Sequence, residues 1–260
     1  MVRRAVAARC AILACVGYFS DALEHPRVVV TGLGALTGVG NTYRSTWDAI
    51  NAGKSGVATV SCFEEPERFP STVGCEVKDF EGKAWFANPK SANSNDRYTH
   101  LAVAAAKQAL EDSGLVIAEG GELSAHPDRV GVMIGSAFGG IATVEAQCEQ
   151  MRTRGPKRVS PFAIPALLGN TASGVVGIEC NCKGPNFGVV SACASGTHAI
   201  GEASLAIMRG DCDVVVCGGS EAQCWSQSPV DGRPGISSNP STSPKSNSFS
   251  MILEPLILAS

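Results

Sequence analysis

Residues 187–217 read FGVVSACASGTHAIGEASLAIMRGDCDVVVC, and this stretch decides the fold class. Residues 187–191 and 213–217 are largely apolar runs, which predict buried strands, and the small residues of 196–208 predict a helix between them. Strand, helix and strand in this order form a βαβ unit, whose strands run parallel and are covered by the helix. We therefore expect both strands to be central in a parallel sheet.

The chain on the N-terminal side of this unit continues the same pattern. Apolar runs predict strands at residues 27–31 and 129–135. Segments of helical character predict helices at residues 42–52, 101–110, 141–152 and 165–178. Residues 55–89 predict irregular structure, because Pro66 and Pro70 interrupt any long element. The sequence thus predicts an α/β protein with a mainly parallel sheet flanked by helices, built by residues 27–222.

Both ends of the chain differ in character from residues 27–222. Residues 1–26 begin with three arginines in the first nine positions and continue into a short apolar run. This pattern is typical of a targeting presequence for a plastid or mitochondrion; the alternative is a disordered extension on a cytoplasmic protein. Residues 223–260 are rich in Ser and Pro, which predicts a disordered tail in which only residues 251–258 could dock on the fold.

Composition excludes several classes of function. The formal net charge of −3 argues against a nucleic-acid partner or an anionic membrane surface, and no apolar run reaches the roughly 20 residues of a membrane helix. The 11 cysteines form no CxxC pair, so we expect reduced, buried thiols rather than a zinc site or a disulfide scaffold. Gly32 and Gly34 follow a strand, but Thr37 replaces the third glycine of a dinucleotide-binding fingerprint, so we expect turn glycines.

Cys193 lies between the predicted strand at 187–191 and the predicted helix at 196–208. A sharp strand-to-helix turn exposes the residue at its apex, as in the nucleophile elbow of hydrolases. The positive end of the helix dipole favours a thiolate at such a position, and exposed backbone N–H groups there can bind an oxyanion. Taken alone, the residues leave two interpretations open: a nucleophile or a buried structural cysteine.

Several motifs in a fixed order strengthen the interpretation of Cys193 as a nucleophile. They are VVVTGLG at residues 28–34, VSPF at 159–162, KGPN at 183–186, ACASG at 192–196 and GGSEA at 218–222. In this order they resemble the β-ketoacyl-acyl carrier protein synthases, from residue 27 to residue 222 without a large gap. The resemblance covers only the N-terminal part of that family, so we expect a chain that carries the first part of the enzyme.

The resemblance implies a thiolase-like fold and decarboxylative condensation in fatty-acid elongation. Cys193 matches the cysteine that takes an acyl group from acyl carrier protein as a thioester, which the carbanion of decarboxylated malonyl-acyl carrier protein then attacks. No metal or dissociable cofactor is implied, because the phosphopantetheine arm belongs to the carrier. Phe138 matches a residue that borders the acyl pocket, where a bulky aromatic ring would limit chain length; ordinary core packing is the alternative.

The same resemblance implies two protein partners. Acyl carrier protein is the first, since Lys157 and Arg158 match a basic pair that docks this acidic carrier. A plain solvated surface is the alternative for this pair, and Asn93 and Ser94 stand where the family often has further basic residues. The second expected partner is another copy of the chain, because the full-length enzyme is expected to be a homodimer.

The condensation machinery of the family has no counterpart in this sequence. The resemblance places two catalytic histidines, a lysine and a Gly-Phe-Gly loop in the C-terminal half, whereas this chain has only His25, His100, His126 and His198. We expect His198 to face away from Cys193, because five residues correspond to about 140° around a helix. Three functions stay open: a fatty-acid elongation enzyme inactive in condensation as written, a polyketide ketosynthase fragment, and a non-catalytic partner of a carrier protein or synthase.

Overall fold

The computed structural model describes residues 26–61, 72–119, 124–222 and 256–259. The strands in these ranges are β1 (Val29–Leu33), β2 (Ala58–Thr59), β3 (Val73–Gly74), β4 (Val116–Ile117), β5 (Ser124–Ala125), β6 (Val130–Gly135), β7 (Asn186–Val189), β8 (Val214–Gly219) and β9 (Leu256–Ala259). The α-helices are α1 (Tyr43–Asn51), α2 (Pro89–Ala92), α3 (Arg97–Ser113), α4 (Ile141–Arg154), α5 (Ala163–Leu167), α6 (Thr171–Glu179) and α7 (Ser195–Met208). Short 3₁₀ turns occupy Gly82–Trp85, Pro127–Arg129, Pro156–Arg158 and Ala192–Ala194.

The main sheet has five strands in the order β1-β9-β8-β6-β7. Strand β6 pairs in parallel with β7 on one side and with β8 on the other. Strand β9 is antiparallel to both of its neighbours, β8 and β1. The prediction of an α/β fold with a mainly parallel, helix-flanked sheet is therefore confirmed.

Helices cover both faces of this sheet, so the fold has three layers. On one face, α3 and α6 bury the side chains of Val132, Ile134 and Val216. On the other face, α7 buries the side chains of Met133 and Val215. Alternate residues of β6 and β8 thus serve opposite layers, which explains why both strands are continuously apolar in the sequence.

Strand β1 lies unusually close to helix α3. A Cβ atom at Gly34 would stand 1.9 Å from the carbonyl oxygen of Ala105, so no larger residue fits between the strand and the helix. Gly32 stands in the same close contact with α3, at Ala109. The two glycines therefore serve helix–strand packing rather than the turn expected from the sequence.

Of the two strands predicted to be central, one is central and one is not. The prediction for residues 213–217 is confirmed, since β8 lies between β6 and β9 and is buried throughout. The prediction for residues 187–191 is wrong, because among the described strands β7 is the last in the sheet and pairs with β6 alone. Its Phe187 side chain is 40% exposed. An apolar run marks a strand, but it does not show what covers the outer edge of that strand.

The predicted helix at residues 165–178 is two helices. Helix α5 ends at Leu167, and α6 begins at Thr171. Leu168 between them has extended backbone angles, and its carbonyl oxygen accepts a hydrogen bond from the Tyr98 hydroxyl. This carbonyl is thus bonded to a side chain of α3 instead of continuing a helix, which separates the two segments.

The tail predicted to be disordered contributes a strand. Ile257 and Leu258 of β9 are buried, one in each layer of the core, and both neighbouring strands pair with the β9 backbone. The prediction of a disordered tail is therefore wrong for these four residues, whereas the expectation that residues 251–258 could dock on the fold agrees with β9. Residues 223–255 and 260, like the expected presequence at residues 1–25, lie outside the described residues.

Substitution of Ile257 tests whether β9 belongs to the core. Because its side chain is fully buried, Ile257→Ala should lower the free energy of unfolding by about 2–5 kcal/mol. Val30→Ala is the matched control on the neighbouring strand, where the 52% exposed side chain should contribute less than about 1 kcal/mol. Denaturant unfolding measures both, and equal stability of the two variants would show that β9 is not part of the core.

Candidate functional site

Three parallel strands end level with one another, and their loops form one edge of the molecule. Gly135 at the end of β6 pairs with Val189 of β7 on one side and with Gly219 of β8 on the other. The loops that follow carry Phe138, Cys193 and Glu221, respectively. Carboxyl ends of parallel strands are where α/β folds place their binding groups, so this edge is the candidate site.

Cys193 lies in a tight turn between β7 and α7. The turn is the 3₁₀ segment Ala192–Ala194, and Ala192 has a φ of +50°, in the left-handed region. A residue with a Cβ in that region costs roughly 1–2 kcal/mol, so other contacts must hold the turn. The result is the predicted elbow, with an exposed Cys193 directly before a helix.

The side chain of Ser195 holds this turn. Its hydroxyl oxygen accepts a hydrogen bond from the Ser191 amide at 2.8 Å and donates one to the Ala192 carbonyl at 2.7 Å. Ser195 is 3% exposed, so its hydroxyl is largely shielded from water. One buried hydroxyl therefore closes the loop around Cys193 and offsets the strain at Ala192.

Gly135 lets the start of α7 sit directly on the end of β6. A Cβ atom at this position would stand 2.3 Å from the carbonyl carbon of Ser195 and 2.7 Å from the Gly196 nitrogen. Any larger residue would therefore push α7, and Cys193 with it, away from the sheet. The contact fixes the height of the elbow above the strand ends.

The local electrostatics at Cys193 favour an anion. Helix α7 has 14 residues, and no side chain caps its N-terminus. In the part of the chain that the structure describes, the Cys193 amide has no backbone hydrogen-bond partner. Free N–H groups and the positive end of a helix dipole together stabilise negative charge, either on the sulfur or on a carbonyl oxygen bound to it.

Burial lowers the reactivity of three other thiols. Burial raises the pKa of Cys217 and of Cys182 to about 12, and that of Cys180 to about 11. These thiols therefore stay protonated and unreactive at neutral pH. Cys148 in the middle of α4 is exposed like Cys193, but it lacks the helix N-terminus.

Glu221 holds the loop that carries Phe138. One carboxylate oxygen, Oε2, accepts hydrogen bonds from the amides of Ala137 at 2.7 Å and Phe138 at 3.2 Å, and from the Ser136 hydroxyl at 3.2 Å. Burial raises the pKa of this carboxyl, and the donors around it act in the opposite direction. No role of Glu221 was expected from the sequence, although an acidic residue directly after the end of a buried strand is a signal that could have identified it.

Phe138 itself is 59% exposed, which argues against the alternative that it packs in the core. The expected docking pair, Lys157 and Arg158, lies in the 3₁₀ turn between α4 and α5. Both side chains are exposed, and neither forms an ion pair with any residue that the structure describes. They are available to a negatively charged partner.

The histidines in the described part of the chain have separate local roles. The Nε2 atom of His100 lies 2.8 Å from the Ala92 carbonyl oxygen, and His126 accepts a hydrogen bond from the Asp128 amide. His198 is exposed on α7 and forms no hydrogen bond with Cys193. His25 lies outside the described residues.

The described residues contain no group of three or more His, Cys, Asp or Glu side chains that could hold a metal ion. Within the same ranges, no helix combines the length and the apolar character needed to cross a bilayer.

Comparison with known proteins gives one family. The family model described as "Beta-ketoacyl synthase, N-terminal domain" matches residues 25–240. The curated protein 3-oxoacyl-[acyl-carrier-protein] synthase 2 of Synechocystis sp. is 42% identical over 200 residues, which cover 77% of this chain and 46% of that relative. The chain thus spans about half the length of the curated relatives it matches.

Solved structures show the same fold. The ishigamide ketosynthase/chain length factor is similar with a TM-score of 0.70 at 28% identity, covering 78% of this chain and 49% of that chain. A type II polyketide acyl-carrier protein in complex with its ketosynthase, bound to the hexaketide, gives a TM-score of 0.69 at 23% identity. The match covers 91% of this chain and 64% of that chain. The second likeness shows the fold alone. The predicted thiolase-like architecture is confirmed.

The Ser195 hydroxyl can be removed to test whether it holds the elbow. Ser195→Ala should lower the free energy of unfolding by about 1–3 kcal/mol and change the alkylation rate of Cys193 by iodoacetamide, because two buried bonds are lost. Ser204→Ala is the matched control, since Ser204 donates one bond to a carbonyl of the same helix, that of Ile200. If both variants leave the alkylation rate unchanged, Ser195 does not hold the elbow.

Proposed function

The chain belongs to the β-ketoacyl synthase family, and from that membership we propose that Cys193 accepts an acyl group as a thioester in fatty-acid chain elongation. The observation that carries the proposal is the exposed thiol at an elbow whose amide and following helix both favour negative charge. The proposed donor is an acyl group on the phosphopantetheine thiol of acyl carrier protein.

The proposed transfer is an exchange of one thioester for another. The Cys193 thiolate attacks the carbonyl carbon of the incoming thioester, and the carbonyl oxygen becomes an oxyanion that the Cys193 amide can stabilise. Collapse of this intermediate breaks the bond to the phosphopantetheine sulfur, which leaves as a thiolate and takes up a proton. The acyl group stays on Cys193, and no metal or dissociable cofactor of this chain takes part.

Condensation is the second proposed half-reaction, and it belongs to the longer enzyme. Malonyl-acyl carrier protein loses carbon dioxide, its carbanion attacks the acyl carbon, and Cys193 leaves as a thiolate. The resemblance places the histidines that assist this step in the C-terminal half of the family. Among the described residues, His100 and His126 contact other backbone groups, and His198 is exposed on α7 without a hydrogen bond to Cys193, so we assign condensation to none of these three.

Docking of the carrier is proposed at Lys157 and Arg158. Both are exposed and unpaired within the described ranges, and Arg154 adds a third exposed positive charge one turn earlier. A basic patch of this kind speeds encounter with an acidic carrier. The Synechocystis relative, 42% identical, is named as a synthase of 3-oxoacyl-[acyl-carrier-protein], which supports the same class of partner here.

Acylation of Cys193 can be read by mass spectrometry. After incubation with acyl-acyl carrier protein, the intact protein should gain one acyl group, and peptide mapping should place it on Cys193. Cys193→Ala should reduce this to background, because no other described thiol is both exposed and next to a helix N-terminus. Cys148→Ala, which removes the other exposed thiol among the described residues, should leave acylation unchanged. Tight carrier binding without any acylation would instead favour a non-catalytic partner.

Carrier docking is tested by reversing the two charges. Lys157→Glu combined with Arg158→Glu should slow acylation by acyl-acyl carrier protein roughly 10-fold at low salt, because electrostatic steering is lost. Acylation by a carrier-free acyl-pantetheine should not change. Lys54→Glu, an exposed charge on another part of the chain, serves as the control. Equal slowing with both donors would place the effect at the thiol and not at a docking surface.

A homodimer is proposed through the free edge of β7. Within the ranges that the structure describes, β7 pairs with β6 alone, and the neighbouring Val190 is 66% exposed. A second copy would cover both this backbone edge and the apolar side chains. Sedimentation equilibrium should give twice the 26.8 kDa chain mass, and Phe187→Lys should shift the protein toward monomer. A monomeric wild-type chain at micromolar concentration would contradict the proposal.

A further inference from the structure

We propose that Glu221 is a positioning residue, which fixes the loop carrying Phe138 and thereby sets the length of acyl chain that Cys193 accepts. The inference rests on the proposed function, in which Cys193 takes the acyl group and Phe138 borders its chain. It adds a chain-length determinant that does not itself touch the substrate.

Glu221 and Phe138 lie in loops that follow two adjacent strands, β8 and β6. Gly135 and Gly219 are paired in the ladder, and Phe138 and Glu221 follow them by three and two residues. The two loops therefore begin at the same level on adjacent strands, with the elbow of Cys193 on the third.

Every residue of the turn at 136–139 is bonded to Glu221 directly or through one hydroxyl. The amides of Ala137 and Phe138 and the hydroxyl of Ser136 all donate to the same carboxylate oxygen. The Ser136 hydroxyl oxygen in turn accepts a hydrogen bond from the Gly139 amide at 3.0 Å. One carboxylate thus determines the path of the backbone on both sides of Phe138.

The backbone directly before Glu221 is held in place by hydrogen bonds of Ser220. The amide of the preceding residue, Ser220, donates to the Gly135 carbonyl at 2.9 Å, and the Ser220 hydroxyl donates to the Tyr98 carbonyl at 2.7 Å. Ser220 is 2% exposed, and Tyr98 is fully buried. Because its base is tied to both β6 and α3, Glu221 cannot follow the loop if the loop moves.

A buried carboxylate that links two loops carries an unfavourable free energy of desolvation. Its second oxygen, Oε1, is buried and has no hydrogen-bond partner among the described residues. Burying charge costs free energy unless hydrogen bonds offset it, and a neutral side chain would avoid that cost. What the charge adds is bond strength, because charge-assisted hydrogen bonds are roughly twice as strong as neutral ones.

The aromatic ring depends on this backbone for its direction. With 59% of its surface exposed, Phe138 is not fixed by packing within the described residues. Its amide, held by Glu221, is therefore the main restraint on where the ring points. A loosened loop would let the ring move aside and admit longer acyl chains.

The test compares Glu221→Gln with Glu202→Gln, which changes an exposed glutamate on α7 and has the same loss of charge. The first measurement is amide hydrogen exchange at Ala137 and Phe138, which should accelerate roughly 10-fold in Glu221→Gln only. The second is Cys193 acylation by short-, medium- and long-chain acyl-pantetheine, where the ratio of long- to short-chain rates should rise roughly 10-fold. Ser136→Ala removes one of the three bonds to Glu221, together with the bond from the Gly139 amide, but keeps the bonds of Ala137 and Phe138. It should move both readouts in the same direction by less, and it serves as the test if Glu221→Gln does not fold.

The two readouts separate the inference from the proposed function. Unchanged exchange at Ala137 and Phe138 would show that Glu221 does not hold the loop. Faster exchange with an unchanged chain-length ratio would remove its role in specificity. If the wild-type protein takes no acyl group from any donor, the proposed function fails, while the exchange measurement still decides whether Glu221 positions the loop.

Discussion

The structure depends on the contact between Gly135 and the first residues of α7. Because no Cβ stands at Gly135, the helix starts against the end of β6, directly beside the strands that end at Val189 and Gly219. This contact fixes where the elbow stands, and Ser195 then fixes the shape of the elbow from within. Without either one, Cys193 would be an ordinary surface thiol like Cys148.

The remaining architecture supports that edge. Strand β8 is central because β9 covers its other side, and β9 in turn joins β1 to the sheet. Alternate side chains of β6, β8 and β9 are buried in two layers of the core, one under α3 and α6 and the other under α7. A rigid parallel core thus presents three loops at one edge, which carry the thiol, an aromatic side chain and the carboxylate that holds it.

The sequence predicted the parts of this arrangement that depend on local pattern. The βαβ unit, the elbow and Cys193 followed from apolar runs, a helix of small residues and the order of the motifs. Contacts between distant residues were not predictable in this way: the edge position of β7, the insertion of Leu256–Ala259, and the bonds of Glu221 to residues some 80 positions earlier. Gly34 is another example, because its contact with Ala105 of α3 depends on the packing of that helix. From the sequence alone, a packing glycine and a turn glycine look the same.

We propose that the elbow presents Cys193 as an acyl acceptor whose own amide stabilises the carbonyl oxygen. A crystal structure of the acylated chain would test this proposal. We expect an acyl carbon bonded to the Cys193 sulfur, with the thioester carbonyl oxygen about 3 Å from the Cys193 amide nitrogen. An acyl group on another thiol, or a carbonyl oxygen turned away from that amide, would contradict it.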